Sequence, residues 1–424
     1  MIRLGTGECK VHAHVANSAW SDERHEMVGM AHGRSSGHVN VSRAGLRLPT
    51  HLLLLVFATL LMVVCGRSEE NDATSQPTSV PNGSSPPTVT SGISLQQPTG
   101  GQTRVIPTVT SVPPTPLPVF QPNELGQIPI LMYHQVGPVP DQFTRTPDQL
   151  LADLQWLYDN SFHVISMNDY LTNEIDIHAG KRPVVLTFDD SSTSQFRLLP
   201  IGNNQMAIDP NCALGILEKF YAAHPDFGRG AHFALNSDRM FAWALDADES
   251  DQEPYIQKKL RWLLDNGYEL GNHTVDHANL AEMDEKDVKY QLAANQDAIL
   301  ALVPDAQMNV ITLPYGMYPS VGGDKLLRGF EYKGRKYAWD AALLVGANPA
   351  SSPISTAFSP FETARIQAYD DELHSWFETF LDAPDILYVS DGNVDTTTVP
   401  RTLHPWLVGT LDESKLGGKQ LVRN

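Results

Sequence analysis

Cysteine is nearly absent from this chain. Cys9, Cys65 and Cys212 are the only 3 in 424 residues, too few and too scattered for a disulfide framework or a thiolate zinc site. Positive charge is scarce too: 30 Lys and Arg stand against 49 Asp and Glu, a net charge of −19. That balance excludes a nucleic-acid partner, whose phosphates are bound through clustered cations. No apolar run reaches the length of about 20 residues that a spanning helix needs. No Gly-x-Ser-x-Gly elbow occurs near a strand end, so a serine-nucleophile hydrolase has no motif here. With 42% hydrophobic and 19% charged residues, the chain can still bury a sizeable core.

What the N-terminal third does contain is an export signature. Residues 51–64 are uncharged, lie behind Arg43 and Arg47, and end at Cys65-Gly66. A basic flank followed by roughly 13 apolar residues fits a signal-peptide core. Leu61-Met62-Val63-Val64-Cys65 resembles a bacterial lipoprotein signal with Cys65 lipidated, although Val64 stands where a small residue is usual. An uncleaved anchor is the alternative. Both predict an exported protein held at the outer face of the cytoplasmic membrane or at the cell surface. Residues 1–48 carry His12, His14, His25, His32 and His38 without periodicity, and read as an upstream extension before a start at Met27 or Met30. Residues 67–127 are mostly Ser, Thr, Pro, Gly and Gln, a composition that cannot repay its ordering entropy and predicts a flexible tether. The expected organisation is therefore extension and anchor over 1–66, tether over 67–127, and one folded domain over 128–424.

From residue 128 onward, apolar strand-like runs alternate with helical patterns. Strands are predicted at 128–133, 182–188, 231–235, 268–271 and 308–313, and helices at 146–158, 214–223, 256–266 and 284–302. Such alternation argues for an α/β fold of parallel strands joined by crossover helices. From the pattern alone, an open doubly wound sheet and a barrel both remain.

Polar clusters recur where the strands end, which is where parallel barrels keep their chemistry. Thr187-Phe188-Asp189-Asp190 closes one strand with adjacent carboxylates, which can divide between metal binding and base catalysis or simply cap a turn. His273-Thr274-Val275-Asp276-His277 offers histidines four apart on a loop, a spacing that can chelate one ion and is also common by chance. Thr312-Leu313-Pro314-Tyr315-Gly316 runs a strand into a turn. Leu131-Met132-Tyr133-His134 ends the first strand, where a lone histidine would ordinarily be structural.

In this order the clusters resemble the polysaccharide deacetylases of carbohydrate esterase family 4, over roughly residues 128–400. The resemblance implies an irregular (β/α)7 TIM-like barrel. It implies Asp189 as catalytic base and Asp190, His273 and His277 as ligands of one divalent metal. Zinc is the first expectation, with cobalt, nickel or iron also accepted by such ligands. Pro314 and Tyr315 match the family's Pro-Tyr motif, whose backbone N–H helps hold the oxyanion. Two positions depart from the pattern. Thr312 stands where an arginine usually orients the base, and Arg365 is the candidate substitute. Ser390, in the run 386–391, stands where a histidine acid is usual. Poly-N-acetylglucosamine deacetylases look like a permuted version of the family with an early Met-Tyr-His strand, which implies His134 as the acid.

The expected reaction is hydrolysis of N-acetyl groups on an amino-sugar polysaccharide such as peptidoglycan or poly-N-acetylglucosamine. Two histidines and a carboxylate leave coordination positions open for water and a carbonyl. Trp156 and Trp262 lie on helical faces and read as core, whereas Trp339 is a candidate to line the substrate groove. Residues 191–211 and 246–253 read as surface insertions. The rival reading is a catalytically decayed carbohydrate-binding lipoprotein of the same fold.

Overall fold

The computed structural model describes residues 120–242 and 252–424. The expected extension, the anchor and nearly all of the tether lie outside the described residues. The organising strand is β3, Arg182–Phe188, every residue of which is buried. Val184, Val185, Leu186 and Phe188 have no polar side-chain atom to satisfy and are β-branched, γ-branched or aromatic, which suits a strand covered on both faces.

Around it lie β1 (Ile130–Tyr133), β2 (Phe162–Val164), β4 (His232–Leu235), β5 (Glu269–Asn272), β6 (Val310–Thr312), β7 (Ala341–Leu343) and β8 (Ile366–Gln367). They form one 8-stranded sheet in the order β7-β6-β5-β4-β3-β1-β8, with β2 beside the start of β3. All its pairings are parallel. The two ends of that order meet. Thr363, just ahead of β8, bridges Leu343 of β7 in parallel, with the Leu344 N–H donating to the Thr363 carbonyl at 2.9 Å. The sheet is thus an irregular α/β barrel, as expected, rather than the open doubly wound alternative.

Crossover helices cover the outside: α1 (Pro147–Asp159), α3 (Ala213–Ala223), α4 (Ile256–Asp265), α5 (Glu285–Leu302) and α6 (Asp370–Asp382), with the short α2 (Met167–Thr172) ahead of β3. The Thr-Pro start of α1 is a complete capping box between Thr146 and Gln149, which satisfies amides that would otherwise lack partners.

Strand alternation sorts the residues into two cores. Leu131, Leu186, Phe188, Phe233 and Leu270 pack outward with Leu154, Leu157, Leu214 and Leu217 of the helices. Ile130, Val185, Val310, Ala341 and Leu343 share the interior core. Continuing the inward parity upward along β1, β3 and β5 reaches His134, Asp189 and His273, whereas Arg365 stands just ahead of β8, level with Ile130 by the β1–β8 register, and extends its side chain up to Asp189. His134 and Asp189 thus top columns that begin with Ile130 and Val185.

Two expected boundaries are corrected. The folded domain starts before residue 128, because Asn123, Glu124, Leu125 and Gln127 are buried. Asn123 and Gln127 bridge Val389 and Leu387, and Arg182 lies 3.3 Å over the Phe120 ring. The segment 191–211 is not wholly a surface insertion either. Its hairpin Leu198–Gly202 and Gln205–Ile208 follows residues Ser191, Ser192, Thr193 and Gln195, which are inaccessible to solvent. Most of the second expected insertion, 246–253, lies outside the described residues.

Candidate active site

The end of β3 carries the first two acids, and the backbone separates them. Asp189 keeps the inward parity, its N–H donating to the Tyr133 carbonyl of β1 at 2.9 Å. Asp190 would point outward by simple alternation, but its φ of 77°, followed by 47° at Ser191, turns it back over the barrel mouth. Non-glycine residues in this region are strained and persist where the surroundings hold them. Part of that hold is Gln195, whose amide donates to the Asp189 carbonyl and, at 2.6 Å, to the His134 carbonyl.

Arg365, the candidate substitute for the missing arginine, reaches Asp189 from just ahead of β8. Its Nη1 and Nη2 donate to Oδ1 and Oδ2 of Asp189 at 2.8 Å each. Nη1 also reaches the Thr187 hydroxyl at 3.0 Å, and Nε the Leu344 carbonyl at 2.9 Å. Both members of the pair are buried. Burial by itself would raise the Asp189 carboxyl, but the Arg365 guanidinium beside it overrides that and holds it well below the usual carboxylate range. Asp189 is ionised under ordinary conditions.

His273 and His277 come from the loop after β5. His273 Nδ1 donates to the Thr312 carbonyl at 2.8 Å, which leaves Nε2 facing Asp190 Oδ1 at 3.5 Å. His277 Nε2 is 3.5 Å from the same oxygen. Thr274 and His277 both have positive φ, 66° and 60°, so the loop doubles back to present both rings. Behind it, Asn236 donates to the carbonyls of His273 and Thr274, and Asn295 donates to Asn272 Oδ1 at 2.9 Å. Asn236, Asn295 and Gln195 were not singled out from the sequence. Isolated amides carry no motif, and only their burial at these carbonyls marks them.

Asp190, His273 and His277 fit a divalent ion. Each offers one ligand atom, and the three lie within 4.8 Å of one another. Asp190 Oδ1 and His273 Nε2 are buried with no hydrogen-bond partner, an arrangement that costs free energy unless something positive sits between them. The Thr312 carbonyl fixes which nitrogen of His273 is free, as the outer partners of metal-ligating histidines do.

His134 stands at the end of β1, half-buried, its ring T-shaped against Phe143 with centroids 5.1 Å apart. Burial pushes it below the ordinary histidine value, while the Asp189 and Asp190 carboxylates pull the other way. Pro314 is buried, and Tyr315 follows it at φ 59° with its side chain exposed and its ring against His277 at 4.6 Å.

Two expected placements are corrected. Trp339 does not line a groove: it is 3% exposed and packs with Phe330 and Leu327 beneath the outer face. Its neighbours Ala338 and Asp340 are exposed, so only the indole of this short connection into β7 turns inward. Ser390 is not at the barrel mouth. Its N–H donates to the Lys181 carbonyl and its hydroxyl to the Ile177 carbonyl, both at 3.0 Å. Those partners precede β3, a strand about 20 Å long at its 3.3 Å rise per residue, so Ser390 lies at the opposite end from Asp189. The run 386–390 is apolar and buried, which is what made it look like the strand carrying an acid.

Residues 227–325 match the family model for polysaccharide deacetylase. The chain is also similar to solved structures. For the deacetylase PplD of Streptococcus pyogenes in complex with acetate, identity is 19% and the TM-score 0.44, over 61% of this chain and 99% of that one. For a polysaccharide deacetylase from Bacillus cereus the values are 14%, 0.43, 60% and 68%. For IcaB from Ammonifex degensii they are 16%, 0.42, 60% and 96%. The matched segment contains His273, His277, Pro314 and Tyr315, and the barrel sets residues 187–190 against them. Over that segment the chain is similar to the polysaccharide deacetylase family.

Proposed function

We propose that this protein removes N-acetyl groups from an amino-sugar polymer, of the peptidoglycan or poly-N-acetylglucosamine kind, in a metal-dependent hydrolysis at the cell surface. The observation that carries this reading is the juxtaposition of an ionised, arginine-clamped Asp189 with the Asp190, His273 and His277 cluster. A divalent ion held by that cluster, zinc by first choice, would polarise the acetyl carbonyl and acidify the attacking water. Asp189 accepts the proton of that water, and the two bonds from Arg365 keep its carboxylate aimed and ionised. The Tyr315 N–H donates to the carbonyl oxygen as negative charge builds on it, a role in which one donor is worth roughly 10²–10³ in rate. His134 delivers a proton to the departing nitrogen, since an amide anion is not a viable leaving group.

The decayed binding-protein reading rested on two lost residues. Arg365 occupies the clamp on Asp189, and Ser390 lies elsewhere, so neither departure argues for decay. Residues 51–65 support delivery to the outer face of the membrane, with 67 to about 119 as the spacer; loss of membrane association in Cys65→Ala distinguishes lipidation from an uncleaved anchor.

The test is acetate release from N-acetylglucosamine oligomers, peptidoglycan and acetylated xylan, before and after chelation and metal restoration. Release from the amino-sugar substrates that disappears on chelation and returns with zinc is expected. Binding without release, with or without metal, would revive the non-catalytic reading.

A further inference from the structure

Two aromatic side chains flank the mouth of the site and remain open to solvent. Tyr315, 56% exposed, meets the His277 ring at 76°. Phe143, 49% exposed, meets the His134 ring at 70°. The first stands on the metal-ligand side. The second stands on the side of the residue that protonates the leaving nitrogen.

A single exposed phenylalanine on a loop is unremarkable by itself, but this loop is pinned on both sides of the ring. The Phe143 N–H donates to Asp141 Oδ1 at 2.7 Å, and its carbonyl accepts from the Gln135 N–H at 2.8 Å. Thr144 and Arg145 then pair in parallel with Gln135 and Val136, the residues directly after His134. Arg145 is buried and grips both oxygens of Asp153, at 2.6 and 3.0 Å. Asp153 also accepts from the Tyr133 hydroxyl at 3.3 Å. The backbone at Phe143 is therefore tied, through a buried ion pair, to the strand that carries His134. A chain that spends a buried ion pair on holding an apolar ring in water has a use for that ring.

The chemistry says what the ring would meet. The acetyl carbonyl points towards the metal ligands and the Tyr315 N–H. The nitrogen points towards His134. The sugar carbon bonded to that nitrogen must then lie on the His134 side, beside Phe143. A pyranose ring has a face of C–H bonds suited to an aromatic surface, and Phe143, T-shaped against His134 and 49% exposed, still presents aromatic surface to solvent. We infer that Phe143 is the stacking platform for the sugar ring whose N-acetyl group is removed, and so a specificity-determining residue for amino-sugar polymers over small acetylated compounds. This rests on the proposed function for the direction of the substrate, and on the geometry alone for the ring's position.

The experiment compares Phe143→Ala and Phe143→Trp with the parent protein, loaded with zinc. Two readouts are taken: steady-state hydrolysis of an N-acetylglucosamine pentamer and of an aryl acetate, and pentamer affinity by calorimetry in an Asp189→Asn background. Burying one aromatic face corresponds to about a tenfold to hundredfold effect. Phe143→Ala should raise KM for the pentamer by about that factor, with a loss at least tenfold larger than on the aryl acetate, and Phe143→Trp should restore it. Equal losses on both substrates would mean that the ring only props His134, and would overturn the assignment. Unchanged pentamer affinity in the Asp189→Asn background would overturn it as well. If the parent protein releases no acetate from any amino sugar, the proposed function fails, and the calorimetry still decides the role of Phe143.

Discussion

Arg365 and Asp189 are 176 residues apart in the chain and joined by two parallel hydrogen bonds of 2.8 Å. The planar fork of a guanidinium matches a carboxylate in a way an ammonium cannot. Arg365→Lys should therefore keep a positive charge while losing the orientation of the base. A fall in kcat/KM of about 10²-fold is expected from misplacement of that size, with metal content unchanged. The pH profile should move as well. With the guanidinium in place, Asp189 is held low and stays ionised well into the acid range. With the pairing weakened, burial pushes the carboxyl up, so the acid limb of kcat/KM should shift to higher pH. The stability that this depressed carboxyl contributes is present above the ordinary carboxylate range and lost as pH falls. An acid limb that does not move would separate Arg365 from the base.

The ligand and base roles of the two adjacent acids should come apart by mutation. His273→Ala removes a ligand whose Nε2 faces Asp190, and should lower metal content by mass spectrometry several-fold or more while the circular dichroism of the fold survives. Asp189→Asn should retain metal and oligosaccharide binding yet lose most turnover. Full metal occupancy in His273→Ala would rule out the cluster as the metal site. Near-normal turnover in Asp189→Asn would move the base to Asp276.

Away from the site, Glu124 predicts a pH-dependent stability. Its oxygens accept from the Asp391 N–H at 3.3 Å and the Thr398 N–H at 2.9 Å, tying the entry of the domain to its C-terminal segment. Burial, reinforced by the Asp391 charge, pushes its carboxyl up from 4.5 to about 7. A carboxyl raised on folding binds its proton more tightly in the folded state, so its contribution is fully present below about pH 4.5 and lost as pH rises through about 7. The full span is on the order of 3 kcal/mol. Glu124→Gln should flatten the dependence of Tm on pH in that window, and an unchanged slope in thermal melts would refute the assignment.

What the sequence could and could not reveal follows from where the information lies. Strands such as β3 and β6 were legible because burial on both faces demands continuous apolar runs, and their polar ends stood out against them. Asp189, Asp190, His273 and His277 belong to short contiguous motifs. Arg365 does not: its role depends on the pairing of β8 with β1, which sets it two strands from Asp189, so the residue was reachable only as a substitute for one missing at Thr312. Ser390 misled because a buried apolar run reads alike whether it ends at the barrel mouth or crosses beneath it. Trp339 misled because burial of an indole leaves no local trace, and Phe143 was overlooked because an exposed aromatic acquires meaning only from the His134 ring beside it.

His134 is the remaining test of the mechanism. Among the described residues, the histidine inside the barrel besides His134 and the His273–His277 pair is His232, and it does not suit proton delivery. It sits lower in β4, level with Thr187 of β3, is 1% exposed, and burial pushes it down to about 4. His134 lies one layer higher, level with Asp189 by strand parity, and is only half-buried. Its proton is disfavoured by burial and favoured by the Asp189 and Asp190 carboxylates, with a net value below that of an ordinary histidine. An acid must carry its proton, so turnover of the amide should decline with rising pH, beginning on the acid side of the ordinary histidine value. His134→Ala should lower kcat on an N-acetylglucosamine oligomer by about 10²–10⁴, the usual worth of a general acid, and abolish that alkaline decline. An aryl acetate departs as a stabilised phenolate that needs little protonation, so its hydrolysis should lose far less. Equal losses on the two substrates would show that His134 acts on binding or on the metal centre. No loss on either would leave the departing amine without an identified proton source and shift the search to a residue supplied with the substrate-bound state.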